Sequence, residues 1–275
     1  DAAVLTINVQ NGVEVGTDIH FRHADKTNKP LILAVNGLDH EKSNFEKSLE
    51  MMKDRFGSNV ILVQYPLNEG LGFNSIIDVL KMKMLQYPKE EGIAKVADIQ
   101  ENQKAKAEEL HNALVEKAAE SDESLMEIFF SNDTLTEEEI RKGIARGIIS
   151  RGMFPVFCIS AKNNIGIDNL MEFLVNEAPS ISDMPALTNS KGNEVKPDAS
   201  GPASVYVFKS SIEEHIGEIN YFRVYSGKVG ENMDVVNNNN GTKERLSQIF
   251  VCAGRNRTKV PELYPGDIGA FVKLK

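Results

Sequence analysis

The sequence predicts an α/β domain built on a parallel sheet, followed by a small β-barrel. Three observations carry that expectation. Leu31 to Val35 are consecutive apolar residues, the pattern of a strand buried on both faces, as in a parallel sheet. A second short apolar run, Val156–Ile159, ends in small polar residues and leads into a helix. After residue 202 the apolar period changes from helical to alternating, with turns between short strands.

The elements follow in order. Ala2–Val9 is a buried-strand candidate, ended by the turn pair Asn11-Gly12. Thr17 is expected to cap a helix to about Lys26, with Ile19 and Ala24 inward. Asn28-Lys29-Pro30 breaks that helix and leads into the central strand, giving one βαβ unit. Ser43-x-x-Glu46 reads as a capping box for a helix over 44–55, with Phe45, Leu49 and Met52 on one face. Val60–Tyr65 reads as a strand, and Ser75–Val79 with Lys81–Tyr87 as a strand pair. Asp98-x-x-Glu101 is expected to open a long helix to about Glu120, striped by Leu110, Leu114 and Ala118. A shorter helix covers Ser121–Phe130. Thr136-x-x-Glu139 is a second capping box, opening a helix to about Ser150. After Val156–Ile159, a helix carries Leu170, Phe173 and Leu174. The proline-rich, polar stretch 179–202 marks a domain boundary. Beyond it, Val205, Val207, Ile219, Phe222 and Val224 lie on strands, NNNNG at 237–241 turns a hairpin, and 246–252 and 268–274 supply further strands.

Composition bounds the function. The 275 residues have room for roughly two domains. A net charge of −9 argues against affinity for nucleic acid by diffuse electrostatics, and no DNA partner is expected. Cys158 and Cys252 sit far apart inside apolar runs and read as reduced thiols. No run approaches the ~18 apolar residues of a membrane span, and no signal peptide is evident. A cytoplasmic monomer is expected. The chain opens on Asp1 inside a strand candidate and stops at Lys275 as another strand finishes, so it reads as a segment of a larger protein.

Asn36 and Asp39 fall just past the end of the central strand, where open α/β sheets bind ligands. A carboxylate there can accept from two adjacent N–H donors, such as guanine N1–H and its exocyclic amine, and the amide both donates and accepts. The pair resembles the guanine-specificity motif Asn-Lys-x-Asp of GTPases, with Gly37 in place of the lysine. By itself the pattern recurs by chance, as polar residues closing a strand. The second strand end adds Ser160-Ala161-Lys162, which resembles the Ser-Ala-Lys motif whose backbone N–H groups face guanine O6 in the same family.

The resemblance then extends over essentially the whole chain. SIIDVLKMKMLQY at 75–87, LTEEEIRKGI at 135–144, SAKNNIGIDNL at 160–170, FRVYSGKVGENMDVV at 222–236 and YPGDIGA at 264–270 are similar to the middle of the bacterial elongation factor G family. One turn departs, with Asn232-Met233 where the family has Gly-Asp. The resemblance implies an incomplete α/β P-loop-GTPase-type parallel sheet with an inserted α+β subdomain, followed by a translation-factor β-barrel. Its implied bounds are residues 1–184 for the C-terminal part of the GTPase domain, with the insert at about 66–152, 185–201 for a linker, and 202–275 for a truncated domain II. It implies GTP or GDP with Mg²⁺ in the full-length parent, the ribosome as partner, and a role in translocation of tRNA and mRNA. The ribosomal-protection proteins of tetracycline resistance share this architecture and are the nearest alternative; a ribosome-binding factor of this fold with weakened nucleotide recognition, to which Gly37 points, is the other.

The base-binding set implied is Asn36, Asp39, Ser160, Ala161 and Lys162. Restoring a lysine at 37 is expected to tighten nucleotide binding. No G-x-x-x-x-G-K-[ST] occurs, and the two Asp-x-x-Gly matches, Asp54–Gly57 and Asp198–Gly201, follow the Asn-x-x-Asp strand, whereas the family's precedes it. This polypeptide alone is therefore expected to bind no nucleotide tightly and to hydrolyse none. The five histidines, His20, His23, His40, His111 and His215, are scattered, without ligand spacing. Arg255, Arg257 and Lys259 are read as a basic loop toward ribosomal RNA phosphates.

Overall fold

The computed structural model describes residues 1–88, 93–189, 191–213, 217–254 and 256–272. The chain divides into two compact units, Asp1–Pro179 and Ser180–Lys275.

The first unit opens with β1 (Ala3–Asn8), α1 (Val15–Lys26), β2 (Leu31–Asn36), α2 (Phe45–Phe56) and β3 (Val60–Leu62). Next come β4 (Gln64–Pro66), β5 (Ser75–Asp78), β6 (Lys83–Gln86) and β7 (Lys95–Ala97), then the helices α3 (Glu101–Ala119), α4 (Glu123–Asn132) and α5 (Glu137–Ile149). β8 (Phe154–Ile159) and α6 (Ile167–Asn176) complete it. Strands β1, β2, β8 and β3 pair in that order as a parallel sheet. β2 and β8 are its interior strands, which explains their unbroken apolar runs: Leu31–Val35 and Phe154–Ile159 are buried throughout. β1 lies at the edge and is half-buried, with Leu5 and Ile7 inward and Val4 and Thr6 outward.

Between β3 and β8 the chain builds a separate antiparallel sheet, β4-β5-β6-β7, and a group of helices. The apolar run Val60–Tyr65 is two strands rather than one, leaving the parallel sheet after Leu62 and entering the antiparallel sheet at Gln64. α3 and α5 pack through Leu114 and Ala118 on one side and Ile140, Ile144 and Ile148 on the other, all buried.

Three helix starts differ from expectation. Thr17 occupies the third position of α1; Glu14 is the N-cap, and its N–H donates to Thr17 Oγ1 at 3.3 Å in a capping box. Ile19 is exposed, while Phe21 and Ala24 face inward. α2 is capped by Asn44, whose Oδ1 accepts from the Lys47 N–H at 3.0 Å, rather than by Ser43. Asp98 does not cap α3, because its carboxylate pairs with Lys83 Nζ at 2.8 Å. Thr136 and Glu139 form the expected box at α5, the Thr136 N–H donating to Glu139 Oε2 at 2.8 Å.

The second unit comprises β9 (Leu187–Thr188), β10 (Glu194–Val195), β11 (Ser204–Glu213), β12 (Gly217–Ser226), β13 (Val229–Gly230), β14 (Met233–Val236), β15 (Lys243–Leu246), β16 (Ile249–Ala253), β17 (Asn256–Val260), β18 (Glu262–Leu263) and β19 (Ile268–Val272). Five strands pair as β11-β12-β19-β16-β17, joined by the ladders β13-β18 and β14-β15. β14 and β15 are the arms of the hairpin that the asparagine run turns. A small core of Phe222, Val224, Val229, Leu246, Ile249, Leu263 and Phe271 holds them, with Phe222 and Phe271 stacked at 4.4 Å. Asn232 takes the left-handed backbone, φ +58°, that its turn requires. Val205 and Val207 lie on β11, as expected, at the edge of this sheet.

Candidate functional site

The register of the parallel sheet builds the site. Asn36, the last residue of β2, lies opposite Ile159, the last residue of β8. The two loops therefore leave the sheet side by side, at the ends of its central strands, where α/β sheets place ligands. Asn36 Oδ1 accepts the Ala161 N–H at 2.9 Å, latching one loop to the other. Asn163 Nδ2 donates to Asp39 Oδ2 at 3.3 Å and makes the second tie.

Each loop is also held internally. Ser160 and Ile165 exchange both backbone hydrogen bonds, at 2.9 and 3.0 Å, and Ser160 Oγ accepts from the Asn163 N–H at 3.2 Å. Ser160 is fully buried, whereas Ala161 and Lys162 are exposed. Gly166 closes this loop with φ +75°, and a side chain there would meet Cys158 O at 2.3 Å. In the first loop Leu38 is buried as an anchor, so Gly37 and Asp39 on either side stay partly exposed. Gly37 has φ +89°.

Asn36, Gly37, Asp39 and Lys162 line one cleft of about 310 Å³. That volume suits a small planar ligand. Gln10 and Leu71 line it as well, the latter from the loop between β4 and β5, and His40 and Glu41 complete it. The polar groups gathered here are the carboxylate of Asp39, the amide of Asn36 and the backbone N–H of Lys162, those of Ser160 and Ala161 being already bonded to Ile165 O and Asn36 Oδ1. Of the residues that line the cleft, the sequence motifs point to Asn36, Gly37, Asp39 and Lys162, and Ala161 is latched beside them. The motifs do not point to Gln10, Leu71 or the tie from Asn163. Asn163 follows the Ser-Ala-Lys tripeptide directly and is visible as a polar neighbour; Leu71 carries no local signal.

Among the described residues no group of three or more His, Cys, Asp or Glu side chains could hold a metal ion. Both Asp-x-x-Gly matches serve as chain terminators: Gly57 caps α2 at φ +85°, and the Gly201 N–H donates to Asp198 O at 3.1 Å. His40 Nδ1 accepts from the Lys42 N–H, and His111 Nδ1 lies 2.8 Å from Val79 O. Both thiols are free, and burial pushes Cys158 well above the usual thiol range.

The expected basic loop needs correcting. Arg255 lies outside the described residues. Arg257 and Lys259 lie on β17, not on a loop. Each has a carboxylate partner: Arg257 pairs with Glu213, and Lys259 Nζ lies 2.8 Å from Glu231 Oε1. Strand alternation explains the spacing, since residues two apart share a face.

A parallel α/β unit with paired strand-end loops, an inserted subdomain and a following β unit defines a GTPase-type protein of the translational class. Residues 1–180 match the family "Elongation factor Tu GTP binding domain", and residues 202–275 match "Elongation factor G domain 2". Over its whole length the chain is 34% identical to elongation factor G of Thermotoga neapolitana and of Thermotoga maritima. It spans about 40% of those relatives' length. A solved structure from Thermus thermophilus superposes with a TM-score of 0.85 over 99% of this chain and 38% of that one, at 23% identity. The chain belongs to the family of the elongation factor Tu GTP binding domain, a translational GTPase family, and the relatives it resembles along its whole length are elongation factors G.

Proposed function

We propose that this chain supplies the guanine-recognition half of a nucleotide site in a ribosomal translocation factor. GTP or GDP with Mg²⁺ would bind the whole protein, with phosphates and metal held by residues other than those described. The observation that supports this reading is the latch between Asn36 and Ala161, which joins the two candidate base loops across 125 residues of sequence. Asp39 would accept from guanine N1–H and the exocyclic amine. The Ala161 N–H is already taken by Asn36 and the Asn163 N–H by Ser160 Oγ, so O6 would be met by the Lys162 N–H between them. When bound, the nucleotide supplies the hydrolysable phosphoanhydride; this chain's residues bind and orient its base. The second unit would face the ribosome. Arg257 and Lys259, on β17, are the cations offered for that contact, each exchanging its carboxylate partner for an RNA phosphate. The protein is read as a cytoplasmic monomer without DNA or membrane partners; among the described residues no helix is long and apolar enough to cross a membrane.

The test is calorimetric titration of the protein, as its gene encodes it, with GDP and ADP. GDP should bind and ADP should not, and Asp39→Asn should erase the preference. Equal binding of both nucleotides would remove the reading. For the second unit, charge reversal at Arg257 and Lys259 should weaken ribosome co-sedimentation and flatten its salt dependence.

A further inference from the structure

The loop between β4 and β5 reaches the base cleft from the inserted subdomain, and its tip is a leucine. Leu71 lines the cleft and is 86% exposed. Exposed single leucines are ordinary on flexible surfaces. This one is not on a flexible surface. The Gly70 N–H donates to Leu38 O at 2.8 Å, tying the loop to the residue between Gly37 and Asp39. Glu69 Oε2 accepts from the Phe45 N–H at 2.9 Å, fixing it to the start of α2. Asn68 closes the loop on itself, its Oδ1 accepting from the Ser75 N–H at 3.1 Å and its amide donating to Gly72 O. Phe73, 4% exposed, anchors it in the core. Gly70, at φ +83°, makes the turn that puts Leu71 at the tip.

Five interactions thus hold an apolar side chain at the mouth of a cleft whose other walls are polar. At position 37 the site lacks an aliphatic cover, since Gly37 has no side chain; the exposed Lys162 stem is the other hydrocarbon in the cleft. A purine has two apolar faces as well as its polar edge. The edge has Asp39 and the 160–162 loop; a face needs a hydrocarbon.

We infer that Leu71 packs on a face of the bound guanine base, as a recognition residue contributed by the inserted subdomain. This rests on the guanine reading above. It makes the subdomain part of the nucleotide site, so displacement of the 68–74 loop changes guanine affinity. Covering one leucine side chain corresponds to about a five- to twentyfold gain in affinity.

The experiment compares GDP titrations of the intact protein with those of Leu71→Ala, Leu71→Met and Asp39→Ala. It also follows the Leu71 methyl resonances on adding GDP. Leu71→Ala should lose about five- to twentyfold, Leu71→Met should hold within about twofold, and the methyls should move upfield under the base ring current. Because the side chain is exposed, thermal unfolding of Leu71→Ala should match the parent. Normal affinity in Leu71→Ala, with Asp39→Ala impaired, overturns the role of Leu71 and leaves the guanine site standing. The leucine would then belong to a macromolecular contact. Absence of GDP binding by the parent, or its indifference to Asp39→Ala, overturns both.

Discussion

The Tyr87 hydroxyl donates to Asp168 Oδ1 at 2.6 Å and accepts from Asn169 Nδ2 at 2.8 Å. Tyr87 follows β6 in the inserted subdomain; Asp168 and Asn169 lie in the first turn of α6, directly after the 160–166 loop. This part-buried contact therefore joins the insert to the helix that follows the candidate base loop. Burial, with the Asp168 carboxylate beside it, pushes the Tyr87 hydroxyl well above the usual phenol range. Tyr87→Phe removes a hydrogen bond to a charged group, while the exposed Asp168 keeps access to water. It should destabilise the first unit by about 0.5–1.5 kcal/mol in urea unfolding. Amide exchange in the first turn of α6 should quicken. An unchanged midpoint would show that water replaces the hydroxyl.

Gly143 gives a test of packing. A side chain there would meet Ala118 O at 2.5 Å and Ala118 Cβ at 2.8 Å, so α3 and α5 touch backbone to backbone at this point. Alanine is the better helix former by about 1 kcal/mol. Forcing two buried helices apart costs about 1–3 kcal/mol. Gly143→Ala should therefore be net destabilising by up to about 2 kcal/mol in urea unfolding. A stabilised variant would mean that the helices slide apart freely.

Asp78 sets a pH dependence. It is buried at the end of β5, beside a cavity of about 20 Å³, room for one water. Burial raises its carboxyl above the usual range, partly offset by the Lys81 and Leu80 N–H groups and the Lys81 charge, and reinforced by Glu172. A carboxyl raised in the fold favours the folded state fully below its unfolded value, and that contribution is lost as pH rises through the folded value. At neutral pH its charge is therefore a burden. Asp78→Asn keeps an oxygen for the Lys81 N–H, now 2.8 Å away. The variant should be the more stable protein at pH 7, with its advantage shrinking toward pH 4. Urea midpoints at the two pH values check this; a constant difference would point to shape rather than charge.

How much of this was legible varies with how local the cause is. The β2 run and the Thr136–Glu139 box could be read because their determinants lie within a few residues. The starts of α1, α2 and α3 could not. Thr17, Ser43 and Asp98 each fit a cap pattern, but Glu14 and Asn44 compete one turn or one residue away, and Lys83 draws off Asp98 from another strand. The break at Val63 is invisible because VILVQY carries no turn residue to mark where the chain changes sheets. In the site, the residue types pointed to the base loops, but the register of Asn36 with Ile159, and the arrival of Leu71, are set by chain brought from far away in sequence.

Gly37 is where the structure adds to an expectation. From sequence, a lysine at 37 restores the cover that the family motif supplies and tightens binding. The backbone there is at φ +89°, a conformation that side-chain-bearing residues rarely adopt. Space is not the obstacle, because the nearest atom to an added Cβ is Val9 Cγ1 at 3.7 Å. The obstacle is conformational, at about 1–2 kcal/mol. The latch between Asn36 and Ala161 and the Leu38 anchor hold the residues on either side, so the loop cannot relax cheaply. Gly37→Ala and Gly37→Lys should each lower stability by about that amount, and Gly37→Asn by less, since asparagine tolerates left-handed backbone. That strain is carried in the free and the bound protein alike, so it lowers stability without cancelling the packing that the lysine stem adds, and Gly37→Lys should tighten GDP by up to about tenfold. Paired thermal unfolding and GDP titration of the three variants check this. A tenfold tightening in Gly37→Lys without loss of stability would show that the loop has a second backbone conformation that accepts a side chain at 37.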